Sequence, residues 1–111
     1  MTHPRRGEVW WVSFDPAIGG EIQKTRPAII ISNNAANSVL NRVIVIPISS
    51  KADRVYPGEA LVEINGQQSK AMSDQITTAS KIRLRNKLGA LSNADLNLVE
   101  DAMLFQLGMR R

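Results

Sequence analysis

The pattern of apolar and polar positions predicts a chain built mainly from short β-strands. The stretch "GEVWWVSF" at 7–14 is rich in β-branched and aromatic residues, and "AIII" and "VIVIPI" are apolar runs of strand length. Alternation in "EALVEI" predicts a half-buried strand, and the Asn65-Gly66 pair after it is a strong hairpin signal. The predicted strands cover 7–14, 26–32, 42–50, 59–64 and about 69–77.

The last twenty residues have the pattern of a helix. Ser92 and Asp95 form an S-x-x-D capping box, and Gly108 is a natural stop signal. Between them, apolar side chains recur at helical spacing at Leu96, Val99, Met103 and Leu107. A short helical turn is also expected within 33–41, whereas 80–89 fits either a short strand or a helical turn.

About five short strands that need no parallel crossover, closed by one helix, indicate an antiparallel sheet. The predicted fold is mainly β with a C-terminal helix, arranged as a compact, partly open SH3-like barrel. The 111 residues suit a single domain over 1–111 whose core needs neither disulfide nor metal. Residues 1–5 are expected to be disordered.

Composition narrows the chemistry without identifying a function. The chain has no cysteine, which excludes disulfides, thiol nucleophiles and zinc–thiolate sites and fits a reducing cytoplasm. No apolar run reaches the length of a membrane span, and the start "MTHPRR" lacks the apolar run of a signal peptide. Lysine and arginine outnumber the acids 14 to 10, so the net charge is +4 and the pI is near 10.0. This balance favours an anionic partner such as nucleic acid or an acidic protein.

Several catalytic designs lack the residues they need. The single histidine, His3, stands near the start of the chain, so neither a histidine-based triad nor a pair of catalytic histidines is expected. The acids are scattered and no glycine-rich phosphate-binding motif is present, so neither a metal nor another cofactor is expected. An enzyme with this sequence must work with Arg, Lys, Asp, Glu, Ser and Thr.

Arg26 is the first candidate for chemistry. It precedes Pro27, which disfavours helical backbone at Arg26 and holds the guanidinium at the entrance of a buried strand. A planar, permanently charged guanidinium matches phosphate oxygens with two parallel hydrogen bonds. The preceding loop adds Glu21 and Lys24. A rim arginine paired with a surface acid, beside a solvated Glu21, explains the same residues, so both interpretations stay open.

Two polar clusters and one basic stripe are further candidates. Ser49 and Ser50 end the third predicted strand, where hydroxyls commonly cap a turn, but pairing of strands two and three would bring Ser49 near Arg26. Asp74 and Gln75 interrupt a strand-like run, as either a buried polar network or a site. Basic residues alternate along 81–88, which indicates a charged sheet edge more often than a stripe that tracks phosphates.

The order and spacing of four motifs resemble a known family. "RGEVWWVSFDP", "GGEIQKTRPAIIISN", "VIVIPISS" and "DQI" follow one another and precede "KIRL" and a closing "LG". Together they resemble the MazF/PemK family of toxin endoribonucleases over about residues 6–108. The resemblance implies a homodimeric MazF/CcdB-like barrel that cleaves single-stranded RNA or mRNA at short motifs without a metal. It further implies attack by the RNA's own 2′-hydroxyl, with 2′,3′-cyclic phosphate and 5′-hydroxyl ends, and inhibition by a small cognate antitoxin.

The resemblance also assigns roles to individual residues. Arg26 matches the family's catalytic arginine, Ser49 the position of its catalytic threonine, and Glu21 or Asp74 is a candidate acceptor of the 2′-proton. Substrate-binding residues are expected at Lys24, Thr25, Ser50, Ser69, Asp74 and Gln75. Ser49 keeps the hydroxyl of the usual threonine but lacks the methyl group that restrains its rotamer.

Two other functions stay open on the sequence. A CcdB-like toxin that poisons DNA gyrase would share the fold, but that family reads its target through an aromatic C-terminal helix end, and this chain ends "FQLGMRR". A non-catalytic RNA-binding barrel would need exposed aromatic stacking platforms, and aromatic residues make up only 5% of the chain. Only the ribonuclease interpretation accounts for the R-P and P-x-S-S motifs.

Overall fold

The computed structural model describes residues 3–14 and 24–110, in which seven strands and two α-helices lie. In chain order they are β1 (Glu8–Ser13), β2 (Thr25–Ile30), α1 (Asn34–Val39), β3 (Arg42–Ser49), β4 (Glu59–Ile64), β5 (Gln67–Met72), β6 (Thr77–Ser80), β7 (Leu84–Ala90) and α2 (Asn93–Gln106). The mainly β fold with a C-terminal helix is confirmed, with two short strands more than the sequence indicates. No helix in the described ranges is long and apolar enough to cross a membrane.

All strand pairs are antiparallel, in the order β4-β5-β3-β2-β1-β7, and β6 pairs with the beginning of β3. β3 changes partner along its length. Its first residues, up to Val45, pair with β6, whereas Ile48 and Ser49 pair with β5. Because one strand serves two sheets, the surface curls around β3 into the partly open barrel that the sequence predicts.

The central strands bury side chains on both faces, which explains their continuous apolar runs. Ile29 and Ile46 belong to one core cluster, which also includes Val99 of α2. Ile30 and Val45, the next residues along in each direction, belong to the cluster on the other side of the sheet. Neighbouring residues of a strand face opposite sides, so the buried parts of these strands, 28–30 of β2 and 45–48 of β3, are apolar at every position.

The turn and cap signals that the sequence predicts are confirmed, except that the Asp95 side chain has a different hydrogen-bond partner. Asn65 and Gly66 both have positive φ, 52° and 81°, as a two-residue hairpin turn between β4 and β5 requires. Ser92 Oγ accepts a hydrogen bond from the Asp95 amide at 3.1 Å and caps α2. Asp95 does not complete a capping box, because its Oδ2 accepts from the Glu63 amide at 2.9 Å and ties α2 to β4.

The strand predicted over 69–77 is wrong beyond Met72. β5 ends there, Ser73–Gln75 form a 3₁₀ turn, and the chain resumes as β6 on a different part of β3. The Ser73 amide donates to Gly58 O at 3.3 Å at this corner. A straight strand cannot pair with both parts of the curled β3, so the chain must turn between them.

The structure settles the ambiguous segment 80–89 and departs from the expectation for part of segment 1–5. The ambiguous stretch 80–89 contains both alternatives, a 3₁₀ turn at Lys81–Arg83 followed by β7. Within 1–5, where disorder is expected, Pro4 is buried and the Arg5 amide donates to Glu8 Oε1 at 2.9 Å. The described part of this segment is therefore attached to the start of β1.

Glu8 joins β1 to its neighbours through its carboxylate. Lys87 Nζ on β7 lies 3.0 Å from Oε2, and Trp10 Nε1 donates to Oε1 at 3.0 Å. Burial raises the pKa of Glu8, but the hydrogen bonds from Arg5, Trp10 and Lys87 together outweigh it and leave the pKa below its usual value. The carboxylate form is therefore favoured in the folded state.

We expect Glu8→Gln to lower the free energy of unfolding by about 1–2 kcal/mol at neutral pH. A lowered pKa contributes stability above the unfolded value, and this contribution is lost as pH falls through the folded pKa. The difference between wild type and variant should therefore shrink as the pH falls below the usual pKa of a glutamate and vanish below the lowered pKa of the folded state, as measured by urea unfolding across a pH series. Glu63→Gln, an exposed acid on β4, is the control. A pH-independent difference for Glu8→Gln would contradict the assigned role.

Candidate active site

An open groove lies where β2 and β3 separate. The two strands pair as far as Ala28 and Pro47, after which β3 turns to β5. If the pairing of β2 and β3 continued in the same register, Arg26 would lie opposite Ser49. The groove is lined by Trp11, Lys24, Thr25, Arg26, Pro27, Ile48, Ser50, Ile64, Asn65, Gln67, Ser69 and Leu88.

Arg26 is held in the groove by β1. Its backbone pairs with Val12, and Pro27 pairs with Trp11. Lys24, just before β2, has a φ of 68°, a left-handed conformation that is uncommon for a residue other than glycine. Its carbonyl accepts the Phe14 amide at 2.9 Å, which closes the end of the β1–β2 pair. Two cations, Lys24 and Arg26, thus line the groove at the beginning of β2.

The groove brings together most of the polar residues assigned from the sequence. Lys24, Thr25, Arg26, Ser50 and Ser69 all line it, with Ser69 buried and Ser50 exposed. The expected approach of Arg26 and the end of β3 is therefore seen, although Ser50 rather than Ser49 is the lining residue.

Ser49 stands next to the groove with its hydroxyl in a turn. Its Oγ accepts the Lys51 amide at 3.2 Å, which is the ordinary turn role of a serine at a strand end. This contact uses a lone pair of the oxygen and leaves the O–H proton to be donated elsewhere. Catalysis by Ser49 stays a prediction.

Three assigned residues are not placed in the groove. Glu21 lies outside the described residues. Asp74 and Gln75 belong to the 3₁₀ turn that follows β5, and they do not line the groove. The sequence suggested a continuous strand at this point, and the turn moves both side chains away. Their assignment to substrate binding stays a prediction that this geometry does not support.

Lys70 holds the segment that follows Ser50 in place. Its Nζ lies 3.3 Å from Glu59 Oε1 and donates to the Arg54 carbonyl at 3.0 Å. The backbone of Lys70 pairs with Ser49 itself. A largely buried ion pair thus restrains the segment that follows Ser49 and Ser50, and with it the positions of their hydroxyls.

The basic stripe of β7 and the turn before it is engaged within the protein. Arg83 donates to the Ser13 carbonyl at 3.1 Å, Arg85 to the Ile82 carbonyl at 2.8 Å, and Lys87 pairs with Glu8. β7 is the outer strand next to β1. These contacts fit the charged sheet edge, and the stripe lies outside the groove apart from Leu88.

Among the groove residues that the sequence did not assign, three can stack on or hydrogen-bond to a ligand. Trp11 is 36% exposed, Asn65 is the first residue of the hairpin turn, and Gln67 begins β5. A signal for Trp11 exists, because adjacent strand residues face opposite sides and two neighbouring tryptophans seldom both reach a core. No comparable signal identifies Asn65 and Gln67, which a hairpin turn explains fully.

The charge of the groove is one-sided. Among its lining residues in the described ranges there are two cations and no carboxylate. Within the same ranges, no group of three His, Asp or Glu side chains is placed to hold a metal ion. The groove presents cations and hydroxyls together, a set that suits an anion such as a phosphodiester.

Comparison with known proteins identifies the family of the chain. A family model described as "PemK-like, MazF-like toxin of type II toxin-antitoxin system" matches residues 5–107. The chain is 35% identical over 114 residues to Endoribonuclease MazF9 of Mycobacterium tuberculosis (strain ATCC 25618 / H37Rv), covering 95% of this chain and 97% of that protein.

Solved structures of similar fold include relatives of the same kind. MazF (Form-I) from Deinococcus radiodurans matches with a TM-score of 0.85 and 26% identity, covering 98% of this chain and 100% of that one. An endoribonuclease in complex with its cognate antitoxin from Mycobacterial species has the same fold, with a TM-score of 0.82 and 24% identity over 97% of this chain and 98% of that one. With the family model matching nearly its whole length, the chain belongs to the PemK-like, MazF-like toxins of type II toxin-antitoxin systems.

Proposed function

We propose that this toxin cleaves single-stranded RNA, mRNA in particular, at short sequence motifs in the cytoplasm, with the RNA's own 2′-hydroxyl as nucleophile and without a metal. Membership of the family and 35% identity to an endoribonuclease make the chain an endoribonuclease. The chemistry of cleavage is the proposal. The observation that supports it best is the groove in which Arg26 and Lys24 stand beside hydroxyls, with no carboxylate among its described lining residues.

The proposed reaction needs charge stabilisation at one phosphate. The 2′-oxygen attacks phosphorus, its O–P bond forms, the bond from phosphorus to the 5′-oxygen breaks, and a 2′,3′-cyclic phosphate and a 5′-hydroxyl result. Negative charge accumulates on the non-bridging oxygens during attack, and the Arg26 guanidinium is proposed to stabilise it with charge-assisted hydrogen bonds.

Two protons must move in the same reaction. The 2′-proton goes to a base and a proton is delivered to the leaving 5′-oxygen. Glu21 is the proposed acceptor, since a carboxylate is a stronger base than a guanidinium whose usual pKa exceeds about 12. The Ser49 hydroxyl is proposed to donate to the phosphate, with Ser50 and Ser69 as substrate contacts in the groove.

The proposal includes protein partners. One relative of this fold has been solved with its cognate antitoxin, and a groove carrying two cations suits a small acidic antitoxin that would compete with RNA. A homodimer belongs to the same proposal, and exposed apolar side chains such as Leu40 and Ile44 are available for contact. A CcdB-like gyrase poison loses its main support, because the family model and the relatives are MazF-like.

The test is to incubate the purified protein, in excess chelator, with a long unstructured RNA and to map the fragment ends. We expect cuts at a recurring short motif, with 2′,3′-cyclic phosphate and 5′-hydroxyl termini, at the same rate with and without chelator. Loss of cleavage in chelator, restored by a divalent ion, would overturn metal independence. Fragments with 5′-phosphate ends would overturn attack by the 2′-hydroxyl.

A further inference from the structure

Trp11 is a large aromatic side chain whose exposure is not explained by the fold. It is 36% exposed and lines the groove beside Arg26 and Pro27. The neighbouring Trp10 is accounted for, because its Nε1 donates to Glu8 Oε1 at 3.0 Å and its ring packs on a core cluster. Within residues 3–14 and 24–110, the Trp11 side chain has no hydrogen bond.

We propose that Trp11 is the platform on which one base of the bound RNA stacks, so that the groove has a base subsite as well as a phosphate site. The inference rests on the proposed function. Aromatic side chains beside a cationic track are the usual means of binding single-stranded nucleic acid, because every base has a π-face. The low aromatic content of the chain does not weigh against this, since one exposed ring in the groove is sufficient.

The sheet places Trp11 beside the strand that carries Arg26. Trp11 pairs with Pro27 across β1 and β2, and Arg26 is the next residue of β2. Opposite Cα atoms of antiparallel strands lie about 4.5–5.5 Å apart. Because the side chains of Trp11 and Arg26 both line the groove, a base on the Trp11 ring and a neighbouring phosphate at Arg26 can occupy it together.

Stacking alone does not distinguish one base from another, so a second group must read the base edge. Gln67 faces the groove with an exposed amide that has no hydrogen bond within the described chain. Asn65 is less available, because its Nδ2 donates to the Leu88 carbonyl at 3.1 Å. Gln67 is thus assigned to base discrimination, and Trp11 to affinity that is shared by all bases.

The two tryptophans allow a matched fluorescence test. Trp10→Phe leaves Trp11 as the only tryptophan, and Trp11→Phe leaves Trp10. Each variant is titrated with a fluorescein-labelled 2′-O-methyl RNA oligonucleotide of random sequence, whose blocked 2′-oxygen prevents the proposed cleavage, and fluorescence polarisation measures binding independently. We expect tryptophan emission to be quenched on binding in Trp10→Phe and to be unchanged in Trp11→Phe.

Affinity gives the second readout. Trp11→Ala should weaken binding by about 5- to 150-fold, as stacking on an aromatic ring is worth, and Gln67→Ala should change the preferred motif with a smaller loss of affinity. In a 2′-O-methyl oligonucleotide that contains the mapped cleavage motif, an abasic nucleotide is placed at each position in turn; at the stacked position it should cost the wild type a similar factor and cost Trp11→Ala almost nothing. Thermal unfolding checks that each variant is folded.

The outcomes separate this inference from the proposed function. Binding by polarisation without quenching in Trp10→Phe, or an unchanged affinity in Trp11→Ala, would overturn the stacking role and leave the ribonuclease standing. Failure of the folded wild type to bind any RNA would overturn both. Quenching confined to Trp10→Phe, together with loss of the abasic penalty in Trp11→Ala, is the supporting result.

Discussion

Arg26→Ala is expected to lower the cleavage rate by about 100- to 1000-fold, the usual cost of removing one preorganised stabiliser of transition-state charge. The side chain lines the groove, and its backbone is fixed by the β1–β2 pair. Because its stabilisation is greatest when charge accumulates on the phosphate, the loss should appear mainly in kcat. Single-turnover cleavage of an RNA that contains the mapped motif measures it.

The control must remove the same charge elsewhere. Arg42→Ala does so at the other end of β3 from Ser49, where the arginine is exposed and donates to Asn41 Oδ1 at 3.1 Å. Net charge falls equally in both variants, so an effect of overall charge would appear in both. Arg26→Lys adds a second comparison, since it keeps the charge and loses the paired donors.

Salt dependence separates binding from catalysis in these variants. Removing one cation that binds a phosphate of single-stranded RNA should reduce the slope of log K against log salt by about 0.7. We expect that reduction in Arg26→Ala and not in Arg42→Ala. Native cleavage by a folded Arg26→Ala protein, or an equal decrease in the two alanine variants, would remove Arg26 from the catalytic site.

Ser49→Ala is expected to slow cleavage by about 100-fold, whereas Ser49→Thr should retain or raise the rate. Ser49 would stand opposite Arg26 on the continued register, and its O–H proton is available because the oxygen only accepts from the Lys51 amide. Threonine keeps the hydroxyl, and its branched Cβ restrains the rotamer. Initial rates on the same RNA provide the measurement.

Ser50→Ala is the matched variant, because it removes the adjacent hydroxyl that lines the groove. We expect a decrease in rate below about 10-fold, as for a neutral hydrogen bond of roughly 1 kcal/mol. A larger decrease in Ser50→Ala than in Ser49→Ala would assign the catalytic hydroxyl to Ser50 and leave Ser49 as a turn residue. Urea unfolding of all three variants distinguishes a destabilised turn from impaired chemistry.

Local signals in the sequence were accurate where one physical cause dominated. The Asn65-Gly66 turn needs two residues with positive φ, and the sequence supplies residues that tolerate it. β4 alternates because one face is buried and the other is exposed, and its bounds are those predicted. The Ser92 cap likewise depends on a contact three residues away, so nearby residues suffice to predict it.

The error at Asp74 and Gln75 has a different origin. A strand that continues and a strand that turns onto a new partner have the same local composition, so no local sequence signal near Met72 predicts the 3₁₀ turn. The turn is imposed by β3, which lies some 25 residues earlier and offers two differently oriented edges. Long-range pairing overrode the local pattern.

The sequence by itself determined the class of fold, the family motifs and the cation at the entrance of β2, because these depend on periodicity, on proline geometry and on the charges present. The tertiary structure decided which of the candidate residues line the same groove. The separation of β2 from β3 opens a groove that contains Arg26, Lys24 and Ser50, while the corner after β5 excludes Asp74. Trp11 lies in the groove beside Pro27, with which it pairs across β1 and β2. Which residues come together depends on how the sheet curls and which strands pair, and the sequence of a single strand does not encode that geometry.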